Sequence, residues 1–310
     1  MAKRISQEAL SGVWSATPTP LTDDMAVDTQ SVKRMVAHHC RLGVKGLFLA
    51  GTCGEGAWLP EREKRRLVET VAKYAAGKLL VSVQVTDNSA ARILDNIKAV
   101  REDGADIAVI APPYFLLNAN PRTLLNLYRQ AIQESPLPIG IYDRGAFGSV
   151  VIPNDTLAQI YAEPKVIIVK DSSTDPARRE IALAVRRKRP ELRLFDGDEF
   201  HCVDYLKAGY DGLLVGGGIF IGYLAGQIIK ATAGGDMVLA EKLQQRMNRM
   251  MFAVYGGKKI KCWLSGLKRL MVELGVFRTW KNYLDYPLTA SCLRDIERLV
   301  ERDRDVLLPD

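Results

Sequence analysis

The feature that most constrains the fold is a regular alternation of short apolar runs with amphipathic stretches. Eight apolar runs predict strands, and each is followed by a stretch with helical periodicity. A strand-helix repeat of roughly 25–30 residues is typical of a (β/α)8 TIM barrel. An open doubly wound sheet rarely needs so many regular units, and its G-x-G-x-x-G fingerprint is absent from the sequence. The predicted strands are 13–17, 46–50, 79–85, 107–111, 139–142, 166–170, 192–196 and 212–215.

The predicted helices lie between these strands and continue beyond the last one. Those of the barrel are 29–42, 60–76, 89–103, 121–135, 153–163, 175–189, 199–209 and 220–233. From residue 236 onward the pattern is helical only, over 237–254, 258–274 and 290–301. We therefore expect a barrel over residues 1–235 and a C-terminal helical extension over residues 236–310. The extension should pack on the barrel, because no long linker rich in proline or glycine separates the two.

Composition limits the classes of function. The 310 residues carry a formal charge of +7, which suits small anionic substrates, and the basic runs at 64–66 and 186–189 fall on predicted helices as solvated faces. We expect no nucleic-acid partner. No apolar run is long enough to cross a membrane, and the N-terminus lacks the apolar region of a signal peptide. The five scattered cysteines form no C-x-x-C pair, which argues against a disulfide framework or structural zinc and indicates a reducing cytoplasm.

Two residues at the ends of neighbouring strands offer the chemistry that such a barrel suits. The active site of a barrel lies at the C-terminal strand ends, and Tyr142 and Lys170 end the fifth and sixth predicted strands, about 4.8 Å apart. An apolar interior disfavours the ammonium and leaves part of the amine free near neutral pH. A free amine can form a Schiff base, and the tyrosine hydroxyl can move the proton. The ordinary alternatives are a lysine that reaches water and a core aromatic ring.

The loop after the second strand reads GTCGEG over residues 51–56. Its glycines, beginning with Gly51, let backbone N–H groups point into the barrel mouth, where they and the Thr52 hydroxyl suit a carboxylate. The alternative is a plain turn between strand and helix, and no Lys-Ser/Thr follows to make a P-loop. Cys53 is a candidate nucleophile. Two of the three histidines fall on a predicted helix remote from the mouth, which disfavours a Cys-His dyad.

The loops after the seventh and eighth strands supply further candidates. DGDE at 196–199 offers a metal site, contacts to a substrate tail, or an N-cap by Asp198. Apart from His201 no histidine follows at ligand spacing, so we expect no metal. The run GGG at 216–218 begins with Gly216 and serves either tight packing or a close approach of the backbone to substrate.

In order and spacing, these motifs resemble the dihydrodipicolinate synthase / N-acetylneuraminate lyase family of class I aldolases over nearly the whole chain. The shared features are the opening GVWSATPTPLTDD, GTCGE at 51–55, the tyrosine that ends strand five, KDSS at 170–173 and the C-terminal helices. The resemblance implies a barrel, usually a homotetramer, that forms a Schiff base with a 2-oxo acid such as pyruvate and needs no cofactor. It makes Lys170 the Schiff-base lysine and Tyr142 the catalytic tyrosine. It also makes Thr52 and Cys53 the carboxylate-binding pair, with a thiol, a weak donor, replacing a hydroxyl.

Two departures separate the chain from the synthase branch of this family. Phe115 stands where that branch has a relay tyrosine contributed across a subunit interface, and Phe147 stands where it has an arginine for the second substrate. Instead, the segment YDRG at 142–145 and the segments FDGDEF and VGGG are similar to the corresponding segments of enzymes that cleave or dehydrate 2-keto-3-deoxy sugar acids. In that reading Arg144 pairs with a second carboxylate or a hydroxyl of the substrate; otherwise it is a surface arginine beside Asp143.

The sequence thus predicts a Schiff-base lyase that cleaves or dehydrates a 2-keto-3-deoxy sugar acid. One alternative is dihydrodipicolinate synthase, which condenses pyruvate with aspartate semialdehyde, and another is a non-catalytic binding barrel. The predicted catalytic residues are Lys170 and Tyr142, and the predicted substrate-binding residues are Gly51, Thr52, Cys53, Arg144 and Gly216.

Overall fold

Residues 5–310 are described by a computed structural model, in which eight parallel strands close into a barrel. The strands pair in chain order around the barrel, and the last one pairs with the first, so that Gly12 lies opposite Gly212. Closure leaves no strand edge unpaired, and the predicted barrel is confirmed. The strands are β1 Gly12–Ala16, β2 Gly46–Leu49, β3 Leu80–Gln84, β4 Ile107–Ile110, β5 Ile139–Asp143, β6 Val166–Asp171, β7 Arg193–Asp196 and β8 Gly212–Val215.

An α-helix follows each strand, and its apolar side packs on the outside of the barrel. A short 3₁₀ helix, Gly145–Phe147, comes directly after β5. The eight α-helices are α1 Thr29–Arg41, α2 Glu61–Ala75, α3 Ala90–Glu102, α4 Pro121–Glu134, α5 Asn154–Tyr161, α6 Pro176–Lys188, α7 Cys202–Ala208 and α8 Gly218–Ala233.

The seventh helix begins three residues later than the sequence predicts. The Asp198 carboxylate accepts the backbone N–H of Phe200 and contacts the His201 ring, so residues 198–201 form a turn instead of the first helical turn. The N-cap residue of α7 is His201, which makes no side-chain cap. The prediction that Asp198 caps a helix is therefore wrong, because this side chain bonds within its own turn.

Four helices follow the barrel: α9 Met237–Val254, α10 Trp263–Glu273, α11 Ala290–Arg302 and α12 Arg304–Leu307. Helix α9 packs against α8 and α11. The helix predicted from residue 258 begins at Trp263, because Gly256 and Gly257 adopt positive φ values and turn the chain. The division of the chain at residues 235 and 236 stays a prediction. None of the helices within residues 5–310 has the length and hydropathy needed to cross a bilayer.

A buried ion pair joins these C-terminal helices to the loop after β2. The Lys268 ammonium on α10 donates to Glu55, and both side chains are fully buried. Glu55 also accepts the backbone N–H of Tyr283 at 2.6 Å, and its own φ of 59° lies in the left-handed region. Losing one partner of a buried pair costs about 3–5 kcal/mol. The C-terminal helices therefore help to fix the shape of the loop that the sequence assigns to carboxylate binding.

Candidate active site

Strands β5 and β6 hold Tyr142 and Lys170 side by side. The two residues are paired in the strand register, as the sequence predicts, and are 6 % and 5 % exposed. The Lys170 Nζ lies 4.4 Å from the centre of the Tyr142 ring and 5.2 Å from the centre of the Phe48 ring on β2. Within residues 5–310 no carboxylate forms an ion pair with this ammonium, and aromatic faces are its neighbours. The site thus presents an amine that is not engaged in a salt bridge.

The surroundings of Tyr142 favour the ionised phenol. Burial opposes ionisation, but the positive charges of Lys170 and Arg144 and side-chain hydrogen bonds with Thr52 and Ser172 outweigh it, so the pKa of Tyr142 lies below its ordinary value. A phenol with a lowered pKa is ionised to a larger fraction at neutral pH, and the phenolate can accept a proton. This side chain therefore has the properties of a proton shuttle beside the amine.

The loop at 51–56 folds so tightly that parts of it admit only glycine. A Cβ on Gly56 would lie 1.7 Å from the carbonyl oxygen of Ala50, and one on Gly54 would lie 2.7 Å from the Ala50 nitrogen. The loop amides of Thr52 and Cys53 donate to no group within residues 5–310. Free amides beside a hydroxyl suit a carboxylate oxygen, as the glycine pattern predicts.

Cys53 is placed for packing rather than for attack. Its thiol lies 3.8 Å from the carbonyl oxygen of Gly216, so the loop after β2 and the loop after β8 meet at this point. Burial, reinforced by the charge of Glu199, raises the pKa of Cys53 to about 12. A thiol of this pKa is protonated at neutral pH and is a poor nucleophile. The geometry brings Gly216 to the same side of the mouth as Cys53.

Glu199 is a buried carboxylate that the sequence suggested only as part of an acidic run. It accepts the backbone N–H of Gly217 and the hydroxyl of Tyr255, each at 2.7 Å. Burial raises the pKa of Glu199, against the effect of these two hydrogen bonds and of the Lys170 charge. Its nearer oxygen lies 3.5 Å from the point that a Cβ on Gly216 would occupy. Glu199 thereby anchors the glycine run to the loop that follows β7.

Three other residues that contact Lys170 or Tyr142 were not found from the sequence. Phe48 faces the ammonium, Ser172 hydrogen-bonds to Tyr142, and Gly197 leaves room for the lysine chain. A Cβ on Gly197 would lie 2.9 Å from Lys170 Cε and 2.0 Å from Ser172 Oγ. The glycine inside DGDE was the available signal, because a glycine between acids at a strand end indicates close approach.

A cavity of about 580 Å³ lies at the mouth of the barrel, and two of its lining residues, Thr52 and Arg144, interact with Tyr142. Gly51 also lines the cavity, and Arg144 immediately follows β5. Asp143, the residue next to Arg144, pairs with Arg178 instead. Of the two possibilities for Arg144, the structure therefore places it in the cavity wall, without a carboxylate partner among residues 5–310. The other lining residues include Trp58, Gln84, Pro112, Tyr114, Phe147 and Ser149.

On the outer side of the same strand ends lies a row of buried carboxylates. Asp143, Asp171 and Asp196 are register neighbours on β5, β6 and β7, and each is at most 1 % exposed. Asp143 pairs with Arg178 at 2.7 Å, and Asp171 accepts the hydroxyl of Tyr210 at 2.8 Å. No group of three metal-ligating side chains converges anywhere in residues 5–310. The row therefore fastens the strand ends to the surrounding helices and loops.

A lysine and a tyrosine on adjacent parallel strands, with a glycine-rich loop opposite, define a barrel of the class I aldolase type. A model of the dihydrodipicolinate synthetase family matches residues 9–293. The chain belongs to this family, in which a Schiff-base mechanism is general, and the predicted family and enzyme class are confirmed.

Similar proteins include both lyases and synthases. The N-acetylneuraminate lyase of Salmonella paratyphi B is 27 % identical over 281 residues, which cover 90 % of this chain and 87 % of the relative. The dihydrodipicolinate synthase of Bacteroides thetaiotaomicron superposes with a TM-score of 0.85 at 25 % identity, over 94 % of this chain and 98 % of that one. That of Thermotoga maritima gives a TM-score of 0.85 at 20 % identity, covering 96 % and 99 %, and shows the fold alone.

Proposed function

We propose that this protein is a lyase of 2-oxo acids in which Lys170 forms the Schiff base and Tyr142 moves the proton. The single observation that carries the proposal is the register pairing of these residues, with Nζ 4.4 Å from the tyrosine ring. The amine has no salt-bridge partner within residues 5–310, so nothing in the described chain has to be displaced before it attacks a carbonyl.

The proposed reaction begins with binding of the substrate carboxylate. The amides and hydroxyl of the loop at 51–54 hold it, with Thr52 and Cys53 as its nearest residues, and orient the ketone toward Lys170. The amine adds to the ketone and water leaves, which gives an iminium. The iminium then draws electrons from the adjacent carbon chain, and either a carbon–carbon bond breaks or a hydroxyl is lost.

Tyr142 is the proton carrier in this scheme. Its lowered pKa lets it take the proton from the substrate hydroxyl during cleavage and return it to the enamine carbon. Thr52 and Ser172 keep the phenol oriented through their hydrogen bonds. Water then hydrolyses the iminium and restores the free lysine.

The group attached to the 2-oxo acid distinguishes the possible substrates. The sequence favours a 2-keto-3-deoxy sugar acid, and Arg144 in the cavity wall supports a polar group near the reacting carbons. The similarity to N-acetylneuraminate lyases supports the direction of cleavage. Phe115, which is 63 % exposed and outside the cavity lining, supplies no hydroxyl for the relay of the synthase branch.

Borohydride reduction in the presence of pyruvate tests the proposal. We expect a covalent adduct in the intact mass spectrum of the wild type, and peptide mapping should locate it on residue 170. The Lys170→Ala variant should form no adduct and lose activity by roughly 10⁴-fold or more. Lys188→Ala, on the exposed side of α6, is the matched control and should behave as the wild type. An adduct that maps to another lysine, or none at all, overturns the proposal.

We further propose a homotetramer in the cytoplasm. Exposed apolar side chains outside the cavity, namely Phe115, Leu117 and Val238, supply surface for association. All five cysteines are free and four of them are buried, which suits a reducing compartment. Sedimentation velocity should show a single species of four times the chain mass, and a monomer would contradict the assembly.

A further inference from the structure

Three aromatic side chains form much of the wall of the cavity at the barrel mouth. A sugar chain bound there would need polar groups instead. Trp58 comes from the loop after β2, Tyr114 from the loop after β4, and Phe147 from the 3₁₀ helix after β5. They are 48 %, 42 % and 62 % exposed, so three large rings from three different loops surround one opening. Exposed apolar side chains that cluster around a cavity mark a binding site.

Hydrogen bonds and a glycine turn fix the segments that carry the three rings. The backbone N–H of Trp58 donates to the carbonyl of Glu55 at 2.9 Å, and Gln84, at the end of β3, donates to the hydroxyl of Tyr114 at 2.8 Å. The turn that carries Phe147 requires Gly145, whose φ is +51° and whose Cβ would lie 2.7 Å from Ser173. The backbone that carries Trp58 and Phe147, and the hydroxyl of Tyr114, are therefore fixed without a ligand.

Most polar side chains in the cavity already have protein partners. Gln84 Nε2 donates to the hydroxyl of Tyr114, Ser149 donates to the carbonyl of Pro113 at 3.0 Å, and Thr52 is bonded to Tyr142. Gln84 Oε1 and the Arg144 side chain have no hydrogen-bond partner among residues 5–310. A chain of several hydroxyls buried here would find only these side chains and the loop amides as polar partners, and each hydroxyl left unpaired would weaken binding.

We propose that the substrate is a 4-hydroxy-2-oxo acid whose carbon 4 bears an aromatic group, which lies against Trp58, Tyr114 and Phe147. This inference rests on the proposed Schiff-base function and replaces the sugar chain by an aryl tail. Arg144 faces the polar atoms next to the reacting carbons, and the rings stack on the aryl group.

The chemistry balances without a further reactant. In the iminium on Lys170 the bond between carbons 3 and 4 breaks, and its electron pair moves to the nitrogen as an enamine. The proton of the 4-hydroxyl passes to Tyr142, and an aromatic aldehyde leaves. The enamine takes a proton at carbon 3, and the water released on imine formation is used again to free pyruvate.

The test compares aldehydes in the reverse direction with pyruvate as the donor. We expect the wild type to condense pyruvate with benzaldehyde at a kcat/KM at least tenfold above that for D-glyceraldehyde or aspartate semialdehyde. In Trp58→Leu and Phe147→Ser this preference should fall about tenfold per ring, because stacking on the aryl group is lost. Pyruvate trapping by borohydride should be unchanged in both variants.

Trp280→Leu is the matched control, since this tryptophan is 43 % exposed but does not line the cavity. It should retain the preference for benzaldehyde. If the pyruvate adduct forms but glyceraldehyde or the semialdehyde is the better acceptor, the aryl tail is wrong and the Schiff base stands. If no adduct forms with pyruvate, both proposals fail together. Equal loss of preference in the Trp280 variant would likewise overturn the role of the cavity rings.

Discussion

The inner and outer faces of the same three strand ends are built in opposite ways. On the inside Tyr142, Lys170 and Phe195 follow one another around the barrel, and on the outside the next residue of each strand is an aspartate. Adjacent residues of a strand point to opposite faces, so one dipeptide supplies both sides. The inner lysine has no salt-bridge partner within residues 5–310, whereas Asp143 and Asp171 of the outer row are extensively hydrogen-bonded.

On the outer face, Asp143 is a buried carboxylate with several hydrogen-bond partners. Asp143 accepts from Arg178 at 2.7 Å, from the backbone of Gly145 at 2.9 Å and from the hydroxyl of Tyr161 at 3.2 Å. These partners come from α6, from the turn after β5 and from α5, so they fix the strand end in three directions. Against this frame the inner amine can stay unpaired and reactive. The outer row thus gives rigidity, and the inner row gives chemistry.

Among the changes that compare the two faces, the largest effect should come from removing a single oxygen on the inner face. Tyr142→Phe takes away the proton carrier and should lower kcat by about 10²–10⁴-fold. The ring and its contact with Lys170 remain, so the unfolding midpoint in urea should change little. Steady-state kinetics and urea denaturation on the same preparations measure both quantities.

Tyr161→Phe is the matched change on the outer face. It removes a hydroxyl that donates to Asp143, so it should lower the free energy of unfolding by about 1–3 kcal/mol and leave kcat within a few-fold of the wild type. If the two tyrosine variants lose activity to the same extent, the separation of roles between the faces does not hold.

Breaking the buried pair of Asp143 and Arg178 on the outer face should have a large effect on stability alone. Asp143→Ala leaves the Arg178 guanidinium, which is 4 % exposed, buried without its main partner, and should cost about 3–5 kcal/mol of unfolding free energy. The double variant Asp143→Ala/Arg178→Met removes both charges and should recover a large part of that loss. A double variant no more stable than the single one would show that the pair is not the source of the effect.

The strand-helix alternation predicted the barrel well, because periodicity in one chain records which side of each element is buried. The positions of Tyr142 and Lys170 followed from the same pattern, since they end consecutive strands. The sequence could not reveal contacts between distant loops. The hydrogen bond from Gly217 to Glu199 depends on how the loops after β7 and β8 meet, and the close approach of Gly197 to Lys170 depends on how the chain continues after β7. Such contacts leave no local periodicity in the sequence from which they could be predicted.

The tail of the substrate was harder still to predict from residues alone. Trp58, Tyr114 and Phe147 are far apart in the chain, two of them in loops and one in a short 3₁₀ helix, so no spacing rule brings them together. The motif YDRG drew attention to Arg144, which the structure does place in the cavity wall. It gave no sign that rings from two other loops would share that cavity.

The smallest effect we predict is a pH dependence of stability that belongs to the outer row. Burial raises the pKa of Asp196 well above its ordinary value of 3.8, against a backbone hydrogen bond from Asp198. A carboxyl whose pKa is higher in the fold than in the unfolded chain stabilises the fold fully below the unfolded value, and this stabilisation is lost as pH rises through the folded value. Asp196→Asn removes this dependence. The free energy of unfolding of the variant minus that of the wild type should therefore increase by roughly 1 kcal/mol or more from pH 4 to pH 8. Unfolding temperatures measured at both pH values should show the same change. A difference that does not change with pH for Asp196→Asn would show that this carboxyl is ionised throughout, and would contradict the prediction.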